Sequence, residues 1–375
     1  MRIGFDARFY GPQVKGLGIY TQYLLKALSE LNEDFEMTVF LTKNGYEDFF
    51  LDDKRFIPVE LDINWYGFRE QIIMPGILNN HQIDFMHFPH FNVPYLYRKP
   101  YIVTIHDLIL LDYHSRRASK LSYLSYYAKY LAFRLNLRHT VNQARAILTV
   151  SEYAKSRITH YFPGIQDKIT VTHIAPVSLS TPDQTYNSKD FGLNQPYILY
   201  VGNAYPHKNL EFLIQSFHSY SLAYPHAPLD LVLVGKMDYF YWRLKEYVSE
   251  FTWNQAHRVH FFGYATKYQL AALYRGAKAY VFPSLEEGFG IPPLEAMRYN
   301  IPVLSGNKAS MPEILGEAAS YFDPHDTNVF IKLLYAIIHD MSHREALIQK
   351  GQKQILRYSW QACAQKTFNI YKKSI

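Results

Sequence analysis

Cysteine is nearly absent from this chain: 375 residues carry one, Cys363. A lone cysteine excludes an internal disulfide framework and a cysteine-based zinc site, and it fits a reducing compartment. Long apolar runs are also missing; none approaches the roughly 18 consecutive apolar residues of a membrane-crossing helix. The opening Met1-Arg2-Ile3-Gly4-Phe5-Asp6 enters a strand-like stretch without a signal-peptide pattern. A soluble, cytoplasmic protein is expected. The sequence has no Asp-x-Asp pair to hold a metal. Its first glycine loop lacks the third glycine and downstream acid of a dinucleotide fingerprint, which counts against a nicotinamide enzyme.

Acid is missing from one long stretch. The net charge is +6, yet no acidic residue occurs between Asp112 and Glu152. That stretch carries Arg116, Arg117, Lys120, Lys129, Arg134, Arg138 and Arg145, interleaved with Tyr123, Tyr126, Tyr127, Tyr130 and Phe133. Basic and aromatic residues on an amphipathic helix suit an anionic membrane surface or a polyanionic acceptor. A tyrosine-rich helix with a solvated basic face accounts for the same pattern. No nucleic-acid module is recognisable, so nucleic acid is not an expected partner. Peripheral contact with an anionic membrane through 116–145 is an expectation.

What is present is a repeat of strand-like and helix-like segments, which argues for parallel sheets with helices on both faces. Strands are expected at Arg2–Asp6, Glu36–Thr42, Asp84–Phe88, Tyr101–Ile105 and Ala146–Val150, then at Tyr197–Val201, Leu229–Val234, Val259–Phe262, Ala279–Pro283 and Pro302–Ser305. The polar run 178–195, with Pro182, Asp183, Asn187 and Asn194, reads as a linker. It separates a domain at 1–177 from one at 196–355, and 356–375 reads as a terminal helix. Two doubly wound domains facing each other would create a cleft at the carboxyl ends of their strands.

The chemistry concentrates at strand exits. Ser284-Leu285-Glu286-Glu287-Gly288-Phe289-Gly290-Ile291-Pro292-Pro293-Leu294-Glu295 joins a buried strand to a helix start. Helix-start N–H groups near Phe289, Gly290 and Ile291 favour a phosphate, with Glu287 on the loop and Glu295 about one turn into the helix. In Val201-Gly202-Asn203-Ala204-Tyr205-Pro206-His207-Lys208-Asn209 a strand ends and Lys208 stands at the next helix entry, an arrangement suited to a diphosphate. Gly16 and Gly18 follow the first strand and permit close backbone approach to a ligand, although a simple tight turn explains them equally well. His106 and Asp107 end another strand, and His87 and His90 lie at its neighbour. No clustered carboxylate or third ligand makes those histidines a metal site.

In this order the segments resemble the motifs of the retaining glycosyltransferases of family 4. The resemblance runs from Asp6 to about Tyr371 and is densest across Val201–Glu313. It implies the GT-B fold, an α/β architecture of two Rossmann-like doubly wound domains across a cleft, with the last helix crossing back to the first domain. It implies a nucleotide sugar as substrate, no cofactor and no metal. Glu287 would contact the donor sugar, Glu295 the ribose and Lys208 the diphosphate. Asn203 and His207 depart from the family, standing where arginine occurs in some or many members. Gly16 and Gly18 would lie near donor phosphate and acceptor, and Gly263 and Tyr264 at the base. His106 would donate a hydrogen bond to a donor-sugar hydroxyl. Asp107, His87 and His90 are the acceptor-side residues. Catalysis is assigned to His106, Glu287 and Lys208. The Asp6-Ala7-Arg8 start and the Gly16–Tyr20 loop look most like mannosyltransferases using GDP-mannose, with a saccharide or lipid-linked saccharide acceptor at the inner membrane face. A UDP-sugar enzyme of the same family, a catalytically weak scaffold of this fold and a sugar phosphorylase are the alternatives.

Overall fold

The structure is a computed structural model that describes residues 1–11, 15–113, 123–177, 186–253 and 257–374. Three expectations therefore lie in part outside the described residues: 12–14 of the first glycine loop, Arg116, Arg117 and Lys120 of the basic stretch, and 178–185 of the linker. The chain forms two compact units, the first holding 1–112, 123–174 and 359–374 among the described residues and the second 175–358.

In the first unit, β1 (Arg2–Asp6), β2 (Glu36–Leu41), β3 (Phe56–Glu60), β4 (Phe85–Phe88), β5 (Tyr101–Ile105), β6 (Ala146–Thr149) and β7 (Ile169–Val171) make one sheet. Its order is β3-β2-β1-β4-β5-β6-β7, with every neighbouring pair parallel. β4 and β5 are buried along their whole length and mostly apolar, with His87 and Thr104 as their buried polar exceptions. In the second unit, β8 (Tyr197–Val201), β9 (Asp230–Val234), β10 (Val259–Gly263), β11 (Ala279–Phe282), β12 (Val303–Gly306) and β13 (Ala319–Phe322) form a parallel sheet in the order β10-β9-β8-β11-β12-β13. Strand order reverses between β1 and β4 and between β8 and β11, the points where open α/β sheets leave a crevice for ligands.

The helix Trp360–Lys373 belongs to the first unit, and its buried Tyr371 hydroxyl lies 2.6 Å from Nδ1 of His87 on β4. The other His87 nitrogen is 2.8 Å from the Thr104 hydroxyl, itself 3.1 Å from the Tyr20 hydroxyl. His87 is therefore fully buried with both nitrogens engaged, and burial holds its pKa down at about 3. This corrects its assignment to the acceptor side: it is a core residue that ties the last helix to the sheet. The expected linker is folded where it is described. Ser188–Phe191 forms a capped 3₁₀ turn, and Phe191 packs edge-on against Phe262 at 5.3 Å.

Beside β1 lies a buried ionic cluster. Arg8 donates through Nε and Nη2 to Asp6 at 2.8 and 2.7 Å, through Nη2 to Glu70 at 2.7 Å, and through Nη1 to the Ile63 carbonyl at 3.1 Å. The second Glu70 oxygen accepts from Asn92 Nδ2 at 2.8 Å and from the Tyr66 N–H at 2.7 Å. On the helix Tyr123–Gln143, Tyr127, Leu131 and Leu135 form an exposed stripe at intervals of four, with Lys129, Arg134 and Arg138 also exposed.

Replacing Arg8 by Met should leave two carboxylates facing each other in the core and cost about 3–5 kcal/mol at pH 7. Burial already raises Glu70, and without Arg8 to offset it the folded pKa would lie further above the unfolded one, so the loss should shrink as pH falls from 7 toward 4. Urea unfolding of Arg8→Met across that range checks both the size and the sign.

Candidate active site

The second unit builds its site from the loops that leave the two strands flanking its order reversal. After β8, three tyrosine hydroxyls hold three successive carbonyls: Tyr280 donates to Val201 at 3.2 Å, Tyr241 to Gly202 at 2.9 Å and Tyr200 to Asn203 at 2.8 Å. Asn203 Oδ1 accepts from the Tyr205 N–H at 3.4 Å, so its side chain folds onto its own loop. A 3₁₀ turn, Pro206–Lys208, follows. Burial, then the neighbouring charge of Lys208, holds His207 down at about 3. It is therefore neutral at pH 7 and supplies no positive charge beside Lys208.

After β11 the chain turns through Ser284–Gly290 into the helix Ile291–Arg298. Gly290 caps that helix at φ 87°, a left-handed backbone that favours glycine, and a Cβ there would force the Met311 side chain to shift. Pro292 and Pro293 in its first turn carry no N–H, so the donors available to negative charge at this helix start are the backbone N–H groups leading into it, at Gly290 and Ile291. Lys208 Nζ forms an ion pair with Glu287 Oε1, joining the β8 and β11 loops. The same oxygen accepts from Ser284 Oγ at 2.9 Å, and Ser310 Oγ donates to the Glu287 carbonyl at 3.0 Å. Leu285 N–H donates to the His207 carbonyl at 2.8 Å, tying the two loops a second time.

Glu295, half-buried, accepts from the Tyr274 hydroxyl at 3.2 Å, and burial pushes its pKa up to about 7. Phe289 sends its ring inward against Tyr358, so any ligand contact there would come from its backbone. Gly263 ends β10 at φ 82°, and Tyr264 beside it is 77% exposed. The structure thus joins Lys208 directly to Glu287 but shows no contact between Tyr264 and either.

In the first unit the predicted residues gather at the exits of β1, β4 and β5. Gly18 has no room for a side chain, since a Cβ would run into the carbonyls of Gly11 and Phe9, whereas one at Gly16 would meet nothing within 4 Å. His106, half-buried after β5, donates from Nε2 to the Pro89 carbonyl at 3.0 Å. Burial holds its pKa down at about 4. The neutral ring therefore presents Nδ1 as a lone pair, and the expectation that His106 donates to a sugar hydroxyl is corrected: it can accept from one. Asp107 accepts the Ile109 N–H at 3.1 Å. His90 accepts the Asn92 N–H on Nδ1 at 3.3 Å, which leaves a donor at Nε2. Among the described residues, no three His, Cys, Asp or Glu side chains converge as a metal site would require, and no helix is long and apolar enough to cross a membrane.

Residues 14–174 match the domain family described as Glycosyltransferase Family 4, and residues 183–354 match Glycosyl transferases group 1. The O-antigen chain mannosyltransferase B of Escherichia coli is 29% identical over 297 residues, covering 76% of this chain and 73% of its own. The O-antigen chain mannosyltransferase RfbU of Salmonella typhimurium is 28% identical, covering 72% of this chain and 68% of its own. Among solved structures, the sucrose-phosphate synthase of Thermosynechococcus elongatus superposes with a TM-score of 0.76 at 18% identity, covering 100% of this chain and 98% of its own. The two parallel-sheet units have the GT-B fold.

His106 and His90 should remain neutral through the physiological range. In ¹⁵N spectra of histidine-labelled protein, His106 should show the Nε2-protonated tautomer and His90 likewise, with no titration between pH 8 and 5. A His106 ring titrating near pH 6.5, or protonated on Nδ1, would contradict the geometry.

Proposed function

Since the chain belongs to the family 4 glycosyltransferases, we propose that it transfers mannose from GDP-mannose, with retention of anomeric configuration, to a saccharide or lipid-linked saccharide. The observation that carries this reading is the Lys208–Glu287 pair, which joins the two loops at the strand-order reversal beside a helix start. The mannosyltransferase relatives support mannose as the sugar.

Departure of the nucleotide diphosphate accumulates negative charge as the sugar becomes oxocarbenium-like. Lys208, on turning from Glu287, and the backbone N–H groups at Phe289–Ile291 would stabilise that charge. Glu287, fixed by Ser284 and Ser310, would position the sugar, and Glu295 would accept from the ribose hydroxyls. His106 would accept a sugar hydroxyl on Nδ1. The acceptor hydroxyl would attack the anomeric carbon on the face the phosphate leaves. The bond to the phosphate oxygen breaks, the bond to the acceptor oxygen forms, and the acceptor proton passes to the departing phosphate. No metal or cofactor enters this scheme.

One observation favours a second reading, a catalytically weak binding protein: Asn203 is folded onto its loop and His207 is neutral, so neither replaces an arginine. The stripe Tyr127, Leu131, Leu135 with Lys129, Arg134 and Arg138 supports peripheral docking on an anionic bilayer as part of the proposal.

Thermal melting with GDP, UDP and ADP, each with and without magnesium, should show a GDP-selective rise that needs no magnesium. Glu287→Ala should lower turnover by about 10²-fold or more through misplacement of the sugar. A variant that keeps full cellular function without turnover would favour the binding protein, and a UDP-selective rise would change the donor. In sedimentation with vesicles, Leu131→Ser/Leu135→Ser should reduce binding to phosphatidylglycerol bilayers, while neutral vesicles bind neither protein.

A further inference from the structure

The rim of the first unit carries an aromatic ledge that lies outside the family motifs above. Between β3 and the helix Phe68–Asn80, Tyr66 adopts φ 61°, a left-handed conformation that a bulky aromatic residue rarely takes. Its N–H is bound to Glu70, whose carboxylate is itself fixed by Arg8 and Asn92 in the buried cluster. A strained residue persists where its surroundings over-determine it. Here the determinant is a set of fully buried charges, and the result is a tyrosine ring turned outward, 62% exposed. The adjacent Trp65 ring, half-buried, stacks on Phe9 at 4.7 Å.

Polar groups of opposite sense stand beside these rings. The Tyr66 hydroxyl is 3.5 Å from both ring nitrogens of His90, too long and too evenly shared to consume it. A phenol is un-ionised at physiological pH, so that hydroxyl stays a neutral donor. His90 offers Nε2–H beside it. Aromatic faces next to neutral donors and acceptors match a pyranose, which has an apolar C–H face and a rim of hydroxyls. They match poorly to an anion, because none of these contacts, among the described side chains, brings a cation to the ledge. The position is also that of a ligand site, outside the carboxyl ends of strands near an order reversal.

The geometry assigns Trp65 and Tyr66, with His90 at their edge, as a saccharide-binding subsite of the first unit, the place of the acceptor sugar. The assignment of the sugar as acceptor rests on the proposed function; the binding of a saccharide there does not.

Saturation-transfer NMR with methyl α-D-mannopyranoside and with mannobiose tests it on the full chain. Tyr66→Gly removes the ring while suiting the left-handed backbone, so this variant should fold at least as well as the parent. Tyr66→Gly and Trp65→Ala should each weaken saccharide binding at least about fivefold, and Tyr66→Phe should retain most of it. The GDP-induced thermal shift, read in parallel, should be unchanged in all three. Wild-type protein that binds neither saccharide, or Gly and Ala variants that bind as the parent does, overturns the subsite. Saccharide binding that depends on the ledge in a protein without any nucleotide response leaves the subsite standing and removes the transferase reading instead.

Discussion

Parallel pairing throughout both sheets is the constraint on which the rest depends. In a parallel sheet every strand leaves by the same edge, so each connection must return over a face, and the loops at the exit edge are left to bind ligands. Reversal of strand order then decides which loops can diverge. Between β1 and β4, and between β8 and β11, successive crossovers go to opposite faces and open a gap. Lys208 and Glu287 lie on the loops that leave β8 and β11. Phe9 and His90 lie on those that leave β1 and β4, with His106 one strand further on. The positions of these side chains follow from topology before any detail of packing is considered.

The two units use charge in opposite ways. In the first, the ionic groups are withdrawn into the core, where Arg8 satisfies Asp6 and Glu70 together. Burying such a cluster contributes little net stability, since desolvation offsets most of the attraction. Its consequence is rigidity in the Tyr66 turn, and it leaves neutral groups at the rim, two histidines with lowered pKa values and two aromatic rings. In the second unit the charged pair stands at the rim beside a helix start. Neutral hydrogen-bonding groups suit a saccharide, and a lysine with helix N–H groups suits a diphosphate. The division of chemistry between the units is thus already present in how each disposes of its ions.

The sequence was most legible where chemistry is local. The eight-residue interval from Glu287 to Glu295 and the strand exit before Lys208 are contiguous signals, and both lie where they were expected. β3 escaped notice because an edge strand tolerates Pro58 and here exposes Ile57 and Pro58 in succession, which blurs its period. The helix Phe68–Asn80 was hidden by Pro75 and Gly76, residues that ordinarily mark a break. Long-range partners were beyond reach altogether. The tautomer of His106 is set by the Pro89 carbonyl, and the burial of His87 by Tyr371 near the other end of the chain. The tyrosines that hold Val201, Gly202 and Asn203 announced themselves only as an excess, 33 in the composition. Trp65 and Tyr66 sit in a turn without any motif, and only the left-handed backbone and its buried anchor single them out.

Two donors meet on one oxygen of Glu287, and they differ in what can displace them. Lys208 is held there by charge, and a nucleotide diphosphate carries more negative charge than a carboxylate, so it competes for the ammonium on favourable terms. Ser284 is buried and neutral and does not enter that competition. With Lys208 turned to phosphate, Glu287 keeps the serine on Oε1, and its own carbonyl remains anchored by Ser310. Without that second donor, a carboxylate only 9% exposed would lose its last polar partner at the moment of binding, at a cost of about 3–5 kcal/mol for an uncompensated buried charge. On the proposed function, the serine before the loop and the serine before the next helix would therefore allow one lysine to serve two anions in turn, pairing with Glu287 at rest and neutralising the leaving group once a donor is bound.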